Sequence, residues 1–228
     1  MTAALIETRA LGKSFGRTPV LRDVNLSVEA GRGAAVIGTN GAGKSTLIAL
    51  LAGLSAPTSG VAMLFGEPAR ALAPAFRRRV GLLSHQSFLY PNLTARENLE
   101  FYATLYGVGD ARAAAAQWLD RVALGGAAEA RVRGFSRGME QRLAIARAML
   151  ARPDALLLDE PFAALDADGA ALAAALVCEA IGRGCAVLAS AHSAGAMEQM
   201  GFGIFTLGRG RLVPGETSVA RQSPPRPS

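Results

Sequence analysis

The stretch from Gly38 to Thr46, GTNGAGKST, has the residue types and spacing of a loop that holds phosphates. Gly38, Gly43, Lys44 and Ser45 satisfy the pattern Gly-x4-Gly-Lys-Ser. Glycines let the backbone curl so that successive N–H groups face one phosphate, and a helix N-terminus adds positive potential there. The candidate contacts run through Gly38, Thr39, Asn40, Gly41, Ala42, Gly43, Lys44, Ser45 and Thr46. Lys44 is expected to reach the β- and γ-phosphates and the Ser45 hydroxyl to bind Mg2+. A second group ends the apolar run ALLLDE. There Asp159 is expected to support Mg2+ and Glu160 to polarise an attacking water as general base. A lone Asp-Glu pair at a strand end is commonplace, and it gains meaning from the phosphate loop in the same chain. A third stretch, FSRGMEQR from Phe135 to Arg142, looks like a second phosphate-reading loop. It carries an arginine and a methionine where smaller or more polar residues are expected.

These groups need elements to hold them. Gly33–Gly38 is a short apolar run ending in glycine, read as a buried strand entering a tight loop. Lys44–Leu54 has apolar residues at helical spacing, so the loop lies between strand and helix, as a phosphate loop requires. Ala155–Glu160, expected beside the phosphate loop, and Cys185–Ser190 read as further buried strands, with weaker candidates around Leu26, Val61 and Phe205. Apolar strands alternating with helices predict a mainly parallel sheet covered on both faces. From about Leu93 to Leu124 the pattern is helical and amphipathic. Thr94–Glu97 reads as a capping box and Asp110 as the cap of the alanine-rich helix that follows. The proline-rich end, RQSPPRPS, reads as a frayed tail.

Composition bounds the rest. The chain has 228 residues, half of them hydrophobic and 18% charged, which permits a sizeable core and argues against wholesale disorder. Cys178 and Cys185 fit neither a disulfide framework nor a zinc pattern, which favours a reduced setting. No run reaches the roughly 18–20 apolar residues of a membrane span, and the N-terminus lacks a signal-peptide layout. The chain is therefore not expected to cross a membrane by itself. The net charge of +6 fits nucleic acid, an anionic membrane face or anionic ligands. No aromatic residues interleave with Arg77–Arg79, so that run reads as a solvated surface.

Taken in order, these motifs closely resemble the nucleotide-binding subunits of ATP-binding-cassette transporters, over nearly the whole chain. The resemblance implies an α/β fold with a P-loop NTPase (RecA-like) core, a mainly parallel sheet, an antiparallel β portion at the N-terminus and an inserted helical subdomain. It places one ATPase domain over 1–220, with the core at about 1–86 and 153–215, the helical subdomain at about 87–152, and a flexible tail at 221–228. Phe15 matches the aromatic that stacks on adenine, against the alternative that it is a core residue. Gln86 matches the glutamine that senses Mg2+ and the membrane partner. Ala163–Asp166 matches the loop that crosses the dimer, and His192 the switch histidine that contacts the γ-phosphate. His85, the other histidine, has no expected role.

The resemblance also implies two subunits packed head to tail with ATP between them. Ser136 would then offer its hydroxyl and Gly138 its N–H to the partner's ATP. The usual signature has a leucine, a second glycine and a glutamine where this chain has Phe135, Arg137 and Met139. Arg137 either strengthens ATP binding or is a surface variation, and Met139 cannot supply the glutamine's hydrogen bonds. The expected function is ATP hydrolysis coupled to export through separate membrane permease subunits, with the chain peripheral on the cytoplasmic face of the inner membrane. Gln86 and the helical segment would form the docking surface. SRGM in the signature and SHQ before the helical segment most resemble the heme exporter ATPase of bacterial cytochrome c maturation, with export of another cargo (drug, lipid or polysaccharide) as the alternative. A nucleic-acid ATPase of the same cassette type is disfavoured. Its long coiled coils have no counterpart here, and no direct nucleic-acid partner is expected.

Overall fold

A strand apolar on both faces can be buried only in the middle of a covered sheet. The computed structural model describes residues 4–215 and places three such strands together. They are β3 (Gly33–Ile37), β7 (Ala155–Asp159) and β8 (Ala186–Ala191), with all five residues of β7 buried. The sheet is completed by β6 (Val80–Leu83), β9 (Gly203–Gly208) and β10 (Arg211–Pro214), in the order β10-β9-β3-β8-β7-β6. All neighbours are parallel except the β9–β10 hairpin. The expected proximity of Asp159 to the phosphate loop is thus reached across an intervening strand, because β8 lies between β3 and β7. The parallel strands all point the same way, so the chain leaves their carboxyl ends at one edge of the sheet. In open α/β sheets that edge is where ligands bind.

A second sheet, order β2-β1-β4-β5, is antiparallel. It holds β1 (Ala4–Phe15), β2 (Thr18–Glu29), β4 (Ser59–Leu64) and the two-residue β5 (Glu67–Pro68). Alternation along β2 turns Val24, Leu26 and Val28 inward, and an irregularity at Asp23, φ 51°, lets Leu21 face inward as well. Helix α1 (Lys44–Leu51) packs with this sheet into one apolar cluster that includes Leu47, Leu50, Leu51, Ile6 and Leu64.

Between β6 and β7 the described chain holds no strand, only the isolated bridge Thr94–Arg131. Helices α3 (Ala95–Leu105), α4 (Ala111–Arg121) and α5 (Arg137–Met149) fill this stretch, after the short α2 (Pro74–Arg77). Their caps follow the sequence. Thr94 and Glu97 form a reciprocal capping box, and Asp110 Oδ1 accepts from Ala113 N–H at 2.9 Å. Leu99, Ala115, Trp118 and Leu119 join Leu143 and Met149 of α5 in the larger apolar cluster. That cluster continues through α6 (Ala167–Gly182) and the short α7 (Gly195–Gln199). The tail expectation for 221–228 lies outside the described residues.

The cysteines are unpaired, Cys178 exposed on α6 and Cys185 buried. Burial pushes the Cys185 thiol up to about 12. A maleimide at pH 8 is expected to label Cys178 alone in the folded protein, because only the thiolate is nucleophilic. Intact mass should show one adduct before denaturation and two after. Native labelling of Cys185 would contradict this packing.

Candidate functional site

At the sheet edge, a cleft of about 600 Å³ is lined by Val20, the loop residues Asn40, Gly41, Gly43, Lys44, Ser45 and Thr46, and by His85, Glu160 and His192. Gly41 and Gly43 have φ of 76° and 106°. A side chain on Gly43 would press on Val20 and Leu21 at 3.0 Å, so this turn requires glycine. Helices α3, α4, α5 and α6 each end their N-termini on a side-chain cap, from Thr94, Asp110, Ser136 and Asp166. Helix α1 has no side-chain cap and no acidic residue in its first turn. Its N–H groups and partial positive charge are left facing the cleft, which suits an anion.

Lys44 is 5% exposed. Its ammonium donates to the carbonyls of Gly38 at 2.7 Å and Thr39 at 3.2 Å and stands 4.0 Å from Glu160. A buried cation solvated mainly by carbonyls is matched to a phosphate. Asp159 is buried, with Oδ1 accepting from the Ser190 hydroxyl at 2.6 Å and Oδ2 3.4 Å from His85 Nε2. No cluster of three or more His, Cys, Asp or Glu suited to a metal exists among the described residues. The donor set, one hydroxyl at Ser45 and one carboxylate at Asp159, fits a Mg2+ ion that takes its remaining ligands from phosphates and water.

Glu160 follows β7 in the left-handed region, φ 52°, a conformation that costs a non-glycine residue roughly 1–3 kcal/mol. Its N–H donates to Ser190 Oγ at 3.0 Å, and His192 Nε2 lies 2.9 Å from its Oε1. Ser190 therefore serves both carboxylate residues, donating to Asp159 and accepting from the Glu160 backbone. Together these contacts fix a carboxylate at the cleft wall beside the Lys44 ammonium.

The family model described as ABC transporter matches residues 21–163. The chain belongs to the ABC transporter family. A Nod factor export ATP-binding protein I from Cupriavidus metallidurans is 38% identical over 165 residues, covering 72% of this chain and 54% of the relative. A ferric-ion import ATP-binding protein from Pseudomonas fluorescens is 39% identical over 166 residues, covering 71% and 46%. The chain spans about half the length of these curated relatives. Among solved structures, a dimeric ATP-binding cassette in a post-hydrolysis state with ADP and Pi superposes with a TM-score of 0.83. It is 26% identical, and the match covers 92% of this chain and 98% of that one. As in that family, the chain combines an antiparallel N-terminal sheet with a P-loop NTPase core.

Asp159 lines an adjoining cleft with His85 and Glu160. The first cleft brings together most of the phosphate loop with Glu160 and His192. It does not bring in the other expected residues. Phe15 lies at the end of β1, 57% exposed under the Lys13 ammonium at 4.8 Å, so it is not a core residue. Gln86 is exposed and absent from the cleft wall, where its neighbour His85 stands instead. Ser136 is exposed, and its Oγ accepts from Met139 N–H at 3.2 Å, capping α5. Neither it nor Gly138 lines the cleft. Arg137 lines a second cleft of about 370 Å³ that shares His85 and Glu160 with the first, and among the described residues it has no ion pair. His85 and Ser190 were not legible as site residues. The only signals were their places, one before Gln86 and two before His192.

Proposed function

We propose that the chain is the ATP-hydrolysing subunit of an ABC exporter, working as a head-to-tail pair beneath separate membrane subunits. The observation that carries this reading is α1, the one uncapped long helix among the described residues, aimed at a cleft whose far wall carries Glu160 and His192. Lys44, Ser45 and the backbone of 38–46 would hold the phosphates, with Phe15 stacking on the base. Ser45 and Asp159 would hold Mg2+, with Gln86 reaching it on closure. Bound Mg2+ neutralises charge building on the phosphate oxygens. Glu160 takes the proton of the attacking water, and His192 holds the Glu160 carboxylate and stands where it can meet the terminal phosphate.

The pairing explains why Ser136 and Gly138 lie off the chain's own cleft. They form a helix N-terminus facing outward, suited to the terminal phosphate of a partner's ATP. The dimeric neighbour supports this arrangement. Exposed Phe88, Tyr90, Phe101 and Leu105 lie within and beside the segment holding Gln86, and an apolar surface there suits docking of the membrane subunits. No helix among the described residues is long and apolar enough to cross a membrane, consistent with a peripheral position at the cytoplasmic face. The division into a core at about 1–86 and 153–215 and a helical subdomain at about 87–152 belongs to the same reading.

Light scattering tests the pairing. With Mg-ATP, the Glu160→Gln chain is expected to double in mass, and without nucleotide to remain a monomer. No ATP-dependent mass increase, with or without the membrane subunits, would defeat it. Heme as cargo rests on SRGM and SHQ alone. The relatives described above are named for Nod factor export and ferric-ion import and give it no support. A heme pigment co-purifying with the native complex is the result expected of that cargo.

A further inference from the structure

Arg147 has no part in the chemistry above. It lies in the last turn of α5, 4% exposed, with a buried Nε that has no hydrogen-bond partner among the described residues. Its Nη2 donates to the carbonyl of Leu82 at 2.5 Å. Its guanidinium carbon is 5.4 Å from the ring centroids of both Phe88 and Tyr102. The Tyr102 hydroxyl in turn donates to the carbonyl of Phe88, whose φ is 54°. Seven residues earlier, on the same face of α5, Glu140 Oε1 accepts from the Ser87 hydroxyl at 2.7 Å. One face of α5 thus grips the chain at Leu82, Ser87 and Phe88, on both sides of His85 and Gln86. The helix comes this close because residue 81 is glycine, where any Cβ would overlap the carbonyl oxygen of Ala148.

The fold alone does not call for this residue. A buried charge with an orphan donor is often matched or bettered in stability by a well-packed apolar side chain. What a methionine cannot do is reach a strand carbonyl and stack between two rings at once, and a lysine lacks the planar fork for it. We propose that Arg147 is a positioning residue that makes the 84–90 segment move with α5, so that a partner pressing on this segment shifts Ser136 at the other end of the helix. The link to Ser136 rests on the proposed function above. The grip itself does not.

Hydrogen exchange on the full chain tests it. In Arg147→Met the unfolding midpoint is expected to stay or rise, while amides of 84–90 exchange roughly tenfold faster and those of 38–46 are unchanged. In the Glu160→Gln background, Mg-ATP should slow exchange at 136–141 and 84–90 together, and adding Arg147→Met should confine the slowing to 136–141. Arg147→Lys should behave like the methionine variant. Unchanged exchange at 84–90, a rise spread over the whole chain with a lower midpoint, or rescue by lysine would each overturn the proposal. Should Arg147→Met not fold, Glu140→Ala removes the other grip and is read the same way. If Mg-ATP slows neither region in the Glu160→Gln protein, the pairing model fails, and the basal exchange still decides the grip.

Discussion

Glu160→Gln is expected to remove steady-state ATP hydrolysis while leaving ATP binding intact. Glu160 is held by three separate contacts, two of them to its carboxylate. Its backbone N–H is tied to Ser190 at 3.0 Å, Oε1 lies 2.9 Å from His192, and the Lys44 ammonium is 4.0 Å away. A glutamine keeps the length and can keep the His192 contact, but its amide cannot take a proton from water. General-base catalysis is worth about a hundredfold to ten-thousandfold, so kcat should fall by at least about a hundredfold. Nucleotide affinity should change little, because the phosphates are held by the loop and Lys44. Single-turnover and steady-state assays with a fluorescent nucleotide for affinity separate the two effects. A kcat within about tenfold of the parent would take Glu160 out of the base role.

What could be read in the sequence was what depends on local order. The phosphate loop, the fully apolar strands β3, β7 and β8, and the caps at Thr94 and Asp110 follow from neighbours a few residues apart. The β1–β2 hairpin was legible only in the run around Leu26, and weakly. Its alternation is broken by irregular register, with Ala10 and Asp23 in the left-handed region, and a buried threonine, Thr8, spends its hydroxyl on the Val24 carbonyl. The site residues that escaped the reading are those defined by contacts across the sheet. Ser190 matters because β8 runs beside β7, and His85 because β6 ends at the same edge. Arg147 is placed by the carbonyl of Leu82, 65 positions away in the chain. No spacing rule signals such pairs, because strand order is set by the packing of the whole sheet.

Lys44→Ala should act on binding itself. The ammonium is buried and donates to two loop carbonyls, so its charge is solvated by the protein and directed into the cleft. Hydrogen bonds to a charged group contribute about 1.5–3 kcal/mol each. Losing two phosphate contacts should therefore weaken ATP binding by at least about a hundredfold. The nucleotide-free protein should not lose stability in proportion. Removing a buried cation also removes its desolvation cost, while the Gly38 and Thr39 carbonyls lose their partner. The two effects oppose one another, and the unliganded melting temperature should shift little. The diagnostic result is therefore a difference. The parent's melting temperature should rise with Mg-ATP, by mass action on the folded state, and that of Lys44→Ala should not. A Kd for ATP within about threefold of the parent would show that the backbone N–H groups of the loop and the uncapped α1 terminus suffice to hold the phosphates without the lysine.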